Sequence, residues 1–260
     1  MCGCVYTYCV THEEVGLAEL KEIKGHALYP IADCGLMAVA RKVPDEDFSE
    51  ENFPENIQNV VWFEAKVREH HSIVNALAGY VTLLPFKFAT VFYSEENVKA
   101  MLRQYESPMK DRLRQLVGKQ EWSLKVWGSY DEVTGYVDVS NSEVRSLKKE
   151  LVKSSPGKAF LLKKKEEDLL KSATQSFFLE QVQKCLHDLT PFSYRNTLQC
   201  GVTVGGGEIG LKAAFLIAKD ETEPFLHEIE KRREALKAVM INLECTGPWP
   251  PYNFADVVKN

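Results

Sequence analysis

The sequence predicts an α+β protein built from two domains. Three observations point there. Short β-branched and aromatic runs alternate with helical stripes of apolar residues, one order of elements can be read twice, and the two readings meet near Gly118. The expected division is 1–118 for an N-terminal α+β domain with connector helices, and 119–260 for a C-terminal domain with a proline- and aromatic-rich tail. A chain of 260 residues is comfortable for two cores, at about 100–150 residues each.

The elements follow in order. Cys4 to Val10 is β-branched and aromatic and reads as a strand. Glu13 to Lys24 suits a short helix stopped by Gly25. Two strands follow, His26 to Ala32 and Leu36 to Val43, joined by Asp33-Cys34-Gly35, where glycine suits a tight turn. Asp45 to Asn56 is acidic, carries Pro54, follows Pro44, and reads as a surface loop or a frayed turn. Val60, Phe63, Val67, His70, Val74 and Leu77 recur at spacings of three and four, which marks one stripe of a helix ended by Gly79. Leu83 to Phe92 reads as one buried strand whose Pro85 belongs at a sheet edge or bulge. Helical segments from Glu95 to Glu106 and from Met109 to Val117 lead to Gly118.

The second series opens on the alternating strand Glu121 to Trp127. A helix over Ser142 to Lys153 breaks at Ser154-Ser155-Pro156-Gly157, where Ser155 suits an N-cap and Pro156 the first turn of a long helix reaching about Leu189. Its buried stripe is Phe178, Val182, Cys185 and Leu189. Strands at Ser193 to Val204 and Ile209 to Ala218 flank Gly205-Gly206-Gly207. Thr222 is placed to cap a helix whose inner face is Phe225, Ile229, Leu236 and Met240, and Ile241 to Cys245 is the last strand. This half reads β-α-β-β-α-β, the ferredoxin-like order; the first half is a related or irregular version of it.

Composition narrows the function. With 45% apolar and 27% charged residues the chain is globular, and its net charge of −5 argues against a nucleic-acid partner. No run approaches the roughly 18 apolar residues that span a bilayer. Met1-Cys2-Gly3-Cys4 lacks the form of a secretion signal, and seven scattered cysteines suit a reducing, cytoplasmic setting.

The candidate chemistry is thin. Gly205 to Gly210 fits G-x-G-x-x-G but leads into a strand-like run rather than a helix, so it reads as a hairpin turn and no nucleotide is expected. Gly118-Lys119-Gln120 fails as a P-loop. Cys2, Cys4, Cys9, Cys34 and His12 lack zinc-ligand spacing, and in a regular strand the Cys4 and Cys9 thiols diverge. His70 lies on an apolar stripe, where a hydrogen-bonded core histidine is expected, and His71 points about 100° away. The run Lys163 to Asp168 is read as a solvated helix face. No catalytic group, cofactor or metal ligand is expected, so these residues describe a scaffold or binding protein.

The tail adds more. Gly247-Pro248-Trp249-Pro250-Pro251-Tyr252-Asn253-Phe254 resembles the G-P-W-P-P-Y-S-F signature of the gas vesicle F/L family. Other segments are collinear with that family: Leu36 to Pro44, Trp62 with His70 or His71, Leu84 to Phe92, Gly118 to Lys125 (its G-K-x-E-W segment) and Pro156 to Lys164. Ala89 stands where glycine is usual, Asn253 where serine is and Phe160 where tyrosine is; alanine at 89 speaks against a special backbone angle there.

The resemblance implies a non-enzymatic accessory or minor structural protein of gas vesicle assembly. It would bind the small apolar shell protein and other accessory proteins during nucleation or growth, in the cytoplasm and at the gas vesicle. The alternative by fold analogy is a small-molecule-sensing or regulatory module of paired ferredoxin-like domains. In the tail, prolines are expected to hold the backbone extended and to display Trp249, Tyr252 and Phe254 at short intervals. With Pro250 and Pro251, these residues form either a protein-binding hot spot or, as the preferred reading, a clamp across the second sheet or the domain seam.

Overall fold

The computed structural model describes residues 4–13, 23, 27–205 and 207–257. The chain forms two compact units: residues 1–121 with 248–260, and residues 122–247. The second unit is thus inserted into the first along the chain. The tail groups with the first unit, whereas the sequence reading placed it with 119–260.

In the first unit the strands are β1 (Cys4–Thr11), β2 (Tyr29–Asp33), β3 (Leu36–Val43), β4 (Leu83–Pro85) and β5 (Val91–Phe92). Their order is β2-β3-β1-β4, with β5 also beside β1. Asp33 pairs with Leu36, and Cys34 and Gly35 both have positive φ (46° and 73°), the geometry of a tight two-residue hairpin. Helix α1 (Val60–Ala78) is capped by Asn59, whose side chain accepts from the Trp62 N–H. Only the second half of its apolar stripe is buried, through His70, Ile73, Val74 and Leu77; Val60 and Phe63 are exposed. Helices α2 (Glu95–Gln104) and α3 (Glu106–Leu116) follow. The segment expected to be a helix over 13–24 lies largely outside the described residues.

The second unit contains β6 (Lys119–Ser129, which begins in the first unit), α4 (Tyr130–Ser140), α5 (Ser142–Val152), α6 (Pro156–Leu189), β7 (Ser193–Gly205), β8 (Glu208–Ala218), α7 (Thr222–Lys237) and β9 (Asn242–Trp249). The sheet order β7-β8-β6-β9 places the unit's strands as second, third, first and fourth, the ferredoxin-like arrangement. The expected stripe Phe178, Val182, Cys185 and Leu189 is buried, packed in one cluster with Leu124, Val126, Phe215, Phe225 and Ile229. At about 1.5 Å per residue, α6 is roughly 51 Å long. The described first half of α6, before Thr174, has no buried residue.

Several local expectations give way to geometry. Helix α4 follows from a cap the sequence reading passed over: Ser129 accepts from the Glu132 N–H. Thr222 is the first residue of α7 rather than its cap, and Met240 lies beyond the helix, exposed, with φ 63°. Ser155 occupies the N-cap position of α6 without a side-chain hydrogen bond. A register shift between Thr7 and Cys9 breaks the alternation in β1, so Cys4 and Cys9 join the same core cluster instead of diverging. Burial pushes the Cys9 thiol up to about 12, where it acts as a small apolar group. Gly205 pairs with Glu208, and the glycine run leads into strand β8.

The strand expected over 83–92 is two short strands on β1, separated by a turn at 86–90. A buried chain of hydrogen bonds holds that turn. The Ala89 N–H donates to the Tyr6 hydroxyl (3.0 Å), which donates to His70 Nδ1 (2.9 Å), and His70 Nε2–H donates to the Phe86 carbonyl (3.1 Å). Because the Phe86 carbonyl can only accept, Nε2 carries the proton of the neutral ring, and Nδ1 accepts from the Tyr6 hydroxyl. Burial lowers the His70 pKa to about 4 and raises that of Tyr6. His70 is a satisfied core histidine. Ala89 has φ 63°, so the special angle is present without glycine.

Candidate interaction site

The tail residues separate into distinct roles. β9 carries the extended backbone as far as Trp249, which is 48% exposed. Beyond it the prolines do not keep the chain extended. Pro251 turns (φ −79°, ψ 56°), and Tyr252–Phe254 form a single 3-10 turn, with the Tyr252 N–H donating to the Pro250 carbonyl and the Phe254 N–H to that of Pro251. Pro250 is buried and Pro251 half-buried.

The turn presses its aromatics into the first unit. Phe254 is buried, and Tyr252 packs on the β1–α1 core with its ring edge-on to His71, 5.2 Å between centroids. The Tyr252 hydroxyl is enclosed and makes no hydrogen bond among the described residues; burial raises its pKa. Leu84 to Lys87, Met109, Tyr252 and Ala255 to Val257 line a small cavity of about 260 Å³ beside it. Arg112 reaches the Asp256 carbonyl at 3.1 Å.

The polar anchor of the tail is Glu121. Its carboxylate is buried, and both oxygens are used: Asn253 donates its backbone N–H to Oε2 (2.8 Å) and its side-chain amide to Oε1 (2.6 Å). Burial raises the Glu121 pKa, and the two Asn253 bonds oppose that rise. Glu121 is the last residue before the chain enters the second unit, and Asn253 lies just past its return at Pro248. The pair therefore ties the outgoing and returning chain together at the root of the inserted unit.

Sequence reasoning assigned no role to Glu121, Asn253 or His71, although all three lie in the segments that carried the resemblance. The signal available was an acidic side chain opening an otherwise apolar alternation at Trp122, Leu124 and Val126. Nothing local named its partner.

Parts of four motif segments thus meet in the first unit: the tail from Pro248 on, Gly118–Glu121, the central helix and the Leu84–Phe92 segment. A family model described as gas vesicle synthesis protein GvpL/GvpF matches residues 4–256. The chain belongs to the GvpL/GvpF family. Among its relatives are gas vesicle protein L of Streptomyces sp. (strain CB03234), 23% identical over 86% of this chain and 81% of that protein, and gas vesicle protein F of the same strain, 24% identical over 72% and 76%. The fold is that of GvpF from Anabaena sp. PCC7120 (TM-score 0.73, 17% identity, 99% of this chain and 98% of that one) and of GvpF from Microcystis aeruginosa (TM-score 0.69, 17% identity, 98% and 100%). Membership supports a gas-vesicle-related role, and the relatives are named as gas vesicle proteins rather than enzymes. Among the described residues no helix is long and apolar enough to cross a membrane.

Proposed function

We propose that this family member is a non-enzymatic accessory protein of gas vesicle assembly. In this reading it binds the small apolar shell protein and other accessory proteins in the cytoplasm during nucleation or growth. The observation that carries the reading is β7. It ends the second sheet, paired with β8 and with no other strand among the described residues, and most of its side chains that are described are exposed. Arg195 is its single charge, and Leu198 and Val204 are at least half exposed. Soluble proteins usually guard such an edge with charge or cover, because its unpaired N–H and C=O groups accept another strand. An apolar, β-rich subunit needs such shielding before it joins a wall, and strand addition supplies it.

The tail is better read as a clamp than as the grip. Phe254 is buried, Tyr252 is packed and Asn253 is tied to Glu121, which leaves Trp249 as the exposed member. Co-purification with the gas vesicle shell protein tests the main reading, with an unrelated apolar β-protein as control. Retention of the shell protein alone is expected, and retention of neither overturns it. For the clamp, Trp249→Ala decides: unchanged stability with lost shell-protein binding would return the tail to the role of grip.

A further inference from the structure

Two surfaces of this chain, one in each unit, have opposite charge and matching apolar content. In the first unit, a groove of about 860 Å³ lies between the one-turn helices at 45–56 and strand β5. Phe53, Phe92 and Tyr93 line its wall, and Asp45, Glu46, Glu50 and Glu51 line it without any lysine, arginine or histidine. None of these four carboxylates makes an ion pair among the described residues. Asp45 accepts from the Cys4 thiol and Glu50 from the Tyr93 hydroxyl (2.5 Å).

In the second unit, the turn of the α5–α6 hairpin is cationic and apolar. From Lys148 to Lys165 there are seven lysines and one acid, Glu150. Lys149, Lys153, Lys163 and Lys164 make no ion pair among the described residues. Around them Val152, Phe160 and Leu161 are 84%, 74% and 68% exposed. Large apolar side chains grouped at a helix turn and ringed by lysine mark a contact surface rather than a solvated face.

We infer that copies of this chain associate head to tail, the hairpin tip of one seating in the groove of the next. Phe160 and Leu161 enter between the aromatic walls, and the lysines meet the carboxylate rim. The contact joins two different surfaces, so it leaves one of each unfilled at the ends of every chain of copies and extends with concentration. No shell protein is required, so the inference stands or falls separately from the proposed function.

Sedimentation of the purified full-length chain tests it. Average mass is expected to rise above 29.5 kDa with concentration at low salt, and to fall back toward monomer near 1 M salt, where screening acts within about 3 Å. Phe160→Ser/Leu161→Ser removes the tip, and Glu50→Lys/Glu51→Lys inverts the rim. These side chains are exposed, and circular dichroism checks that each variant stays folded. Each variant alone should weaken association by about tenfold or more. Mixed together, they should form a one-to-one dimer that grows no further, because the mixture contains one intact tip and one intact groove. A wild type that stays monomeric at every concentration and salt overturns the inference, as does a mixture that stays monomeric or variants that associate as well as wild type. In the first two cases the groove would belong to a different partner.

Discussion

The two units share one strand order and differ in how they fill it. In both, the sheet runs second, third, first, fourth strand. The first unit closes its β3-to-β4 crossover with the 19-residue α1, and its core includes a buried polar relay through Tyr6 and His70. The second spends three helices, α4 to α6, on its first crossover, and its buried polar contact is local, with Thr174 bonded to the Leu170 carbonyl of its own helix and to Thr134. Strand pattern sets the frame, and the crossovers decide what remains outside it. The second unit's surplus, an α6 longer than its sheet and a hairpin strand with a bare edge, is where its exposed apolar residues collect.

That contrast can be broken on its polar side first. Burial holds the folded His70 pKa (about 4) below that of the unfolded chain, so the unfolded state binds the proton more readily. The neutral ring's stabilisation is complete above about pH 6.5 and is lost as pH falls toward 4, a change of about 3 kcal/mol. Protonation turns Nδ1 into a donor and leaves the Tyr6 hydrogen without an acceptor. His71, which faces His70, is also held below its ordinary value by burial. Urea midpoints across this range should fall in wild type and stay flatter in His70→Gln.

The second unit should instead be sensitive to added volume. A Cβ on Gly128 would stand 2.7 Å from the Met240 carbonyl oxygen and 2.9 Å from a Val133 methyl. Gly128→Ala is expected to cost about 2 kcal/mol by overpacking, with little dependence on pH. Next comes the anchor of the tail. Asn253→Ala removes one hydrogen bond to a buried carboxylate and should cost about 1.5 kcal/mol, and Asn253→Ser less, as read from thermal midpoints. The smallest effect has the opposite sign. Ala89 has positive φ, so Ala89→Gly should stabilise by about 1 kcal/mol if the relay through Tyr6 keeps the turn in place.

How much of this was legible in the sequence depends on range. The 3.6-residue stripe of α6 and the alternation of β6 are local, and both appear where they were expected. The tail resemblance fixed the family. The break at 86–90 was hidden, because the hydrogen bonds that hold it come from Tyr6 and His70, distant in sequence. Glu121 and Asn253 lie 132 residues apart, so neither residue announces the other. The upper stripe of α1 misled for a related reason: periodicity at Val60 and Phe63 reports a helix, but burial also needs a neighbour to cover that face.

The insertion of one unit within the other has a consequence for synthesis. A ribosome finishes the first unit's sheet strands early, then makes all of residues 122–247 before Pro248 emerges. At roughly 5–20 residues per second that interval lasts about ten seconds. Throughout it, the nascent first unit lacks Tyr252 and Phe254, and the Glu121 carboxylate has no Asn253 to receive. The second unit can complete its fold in this interval while the first waits. A chain released before Pro248 would carry a finished second unit on an unfinished first, with the apolar bed of the tail uncovered and open to chaperones and proteases.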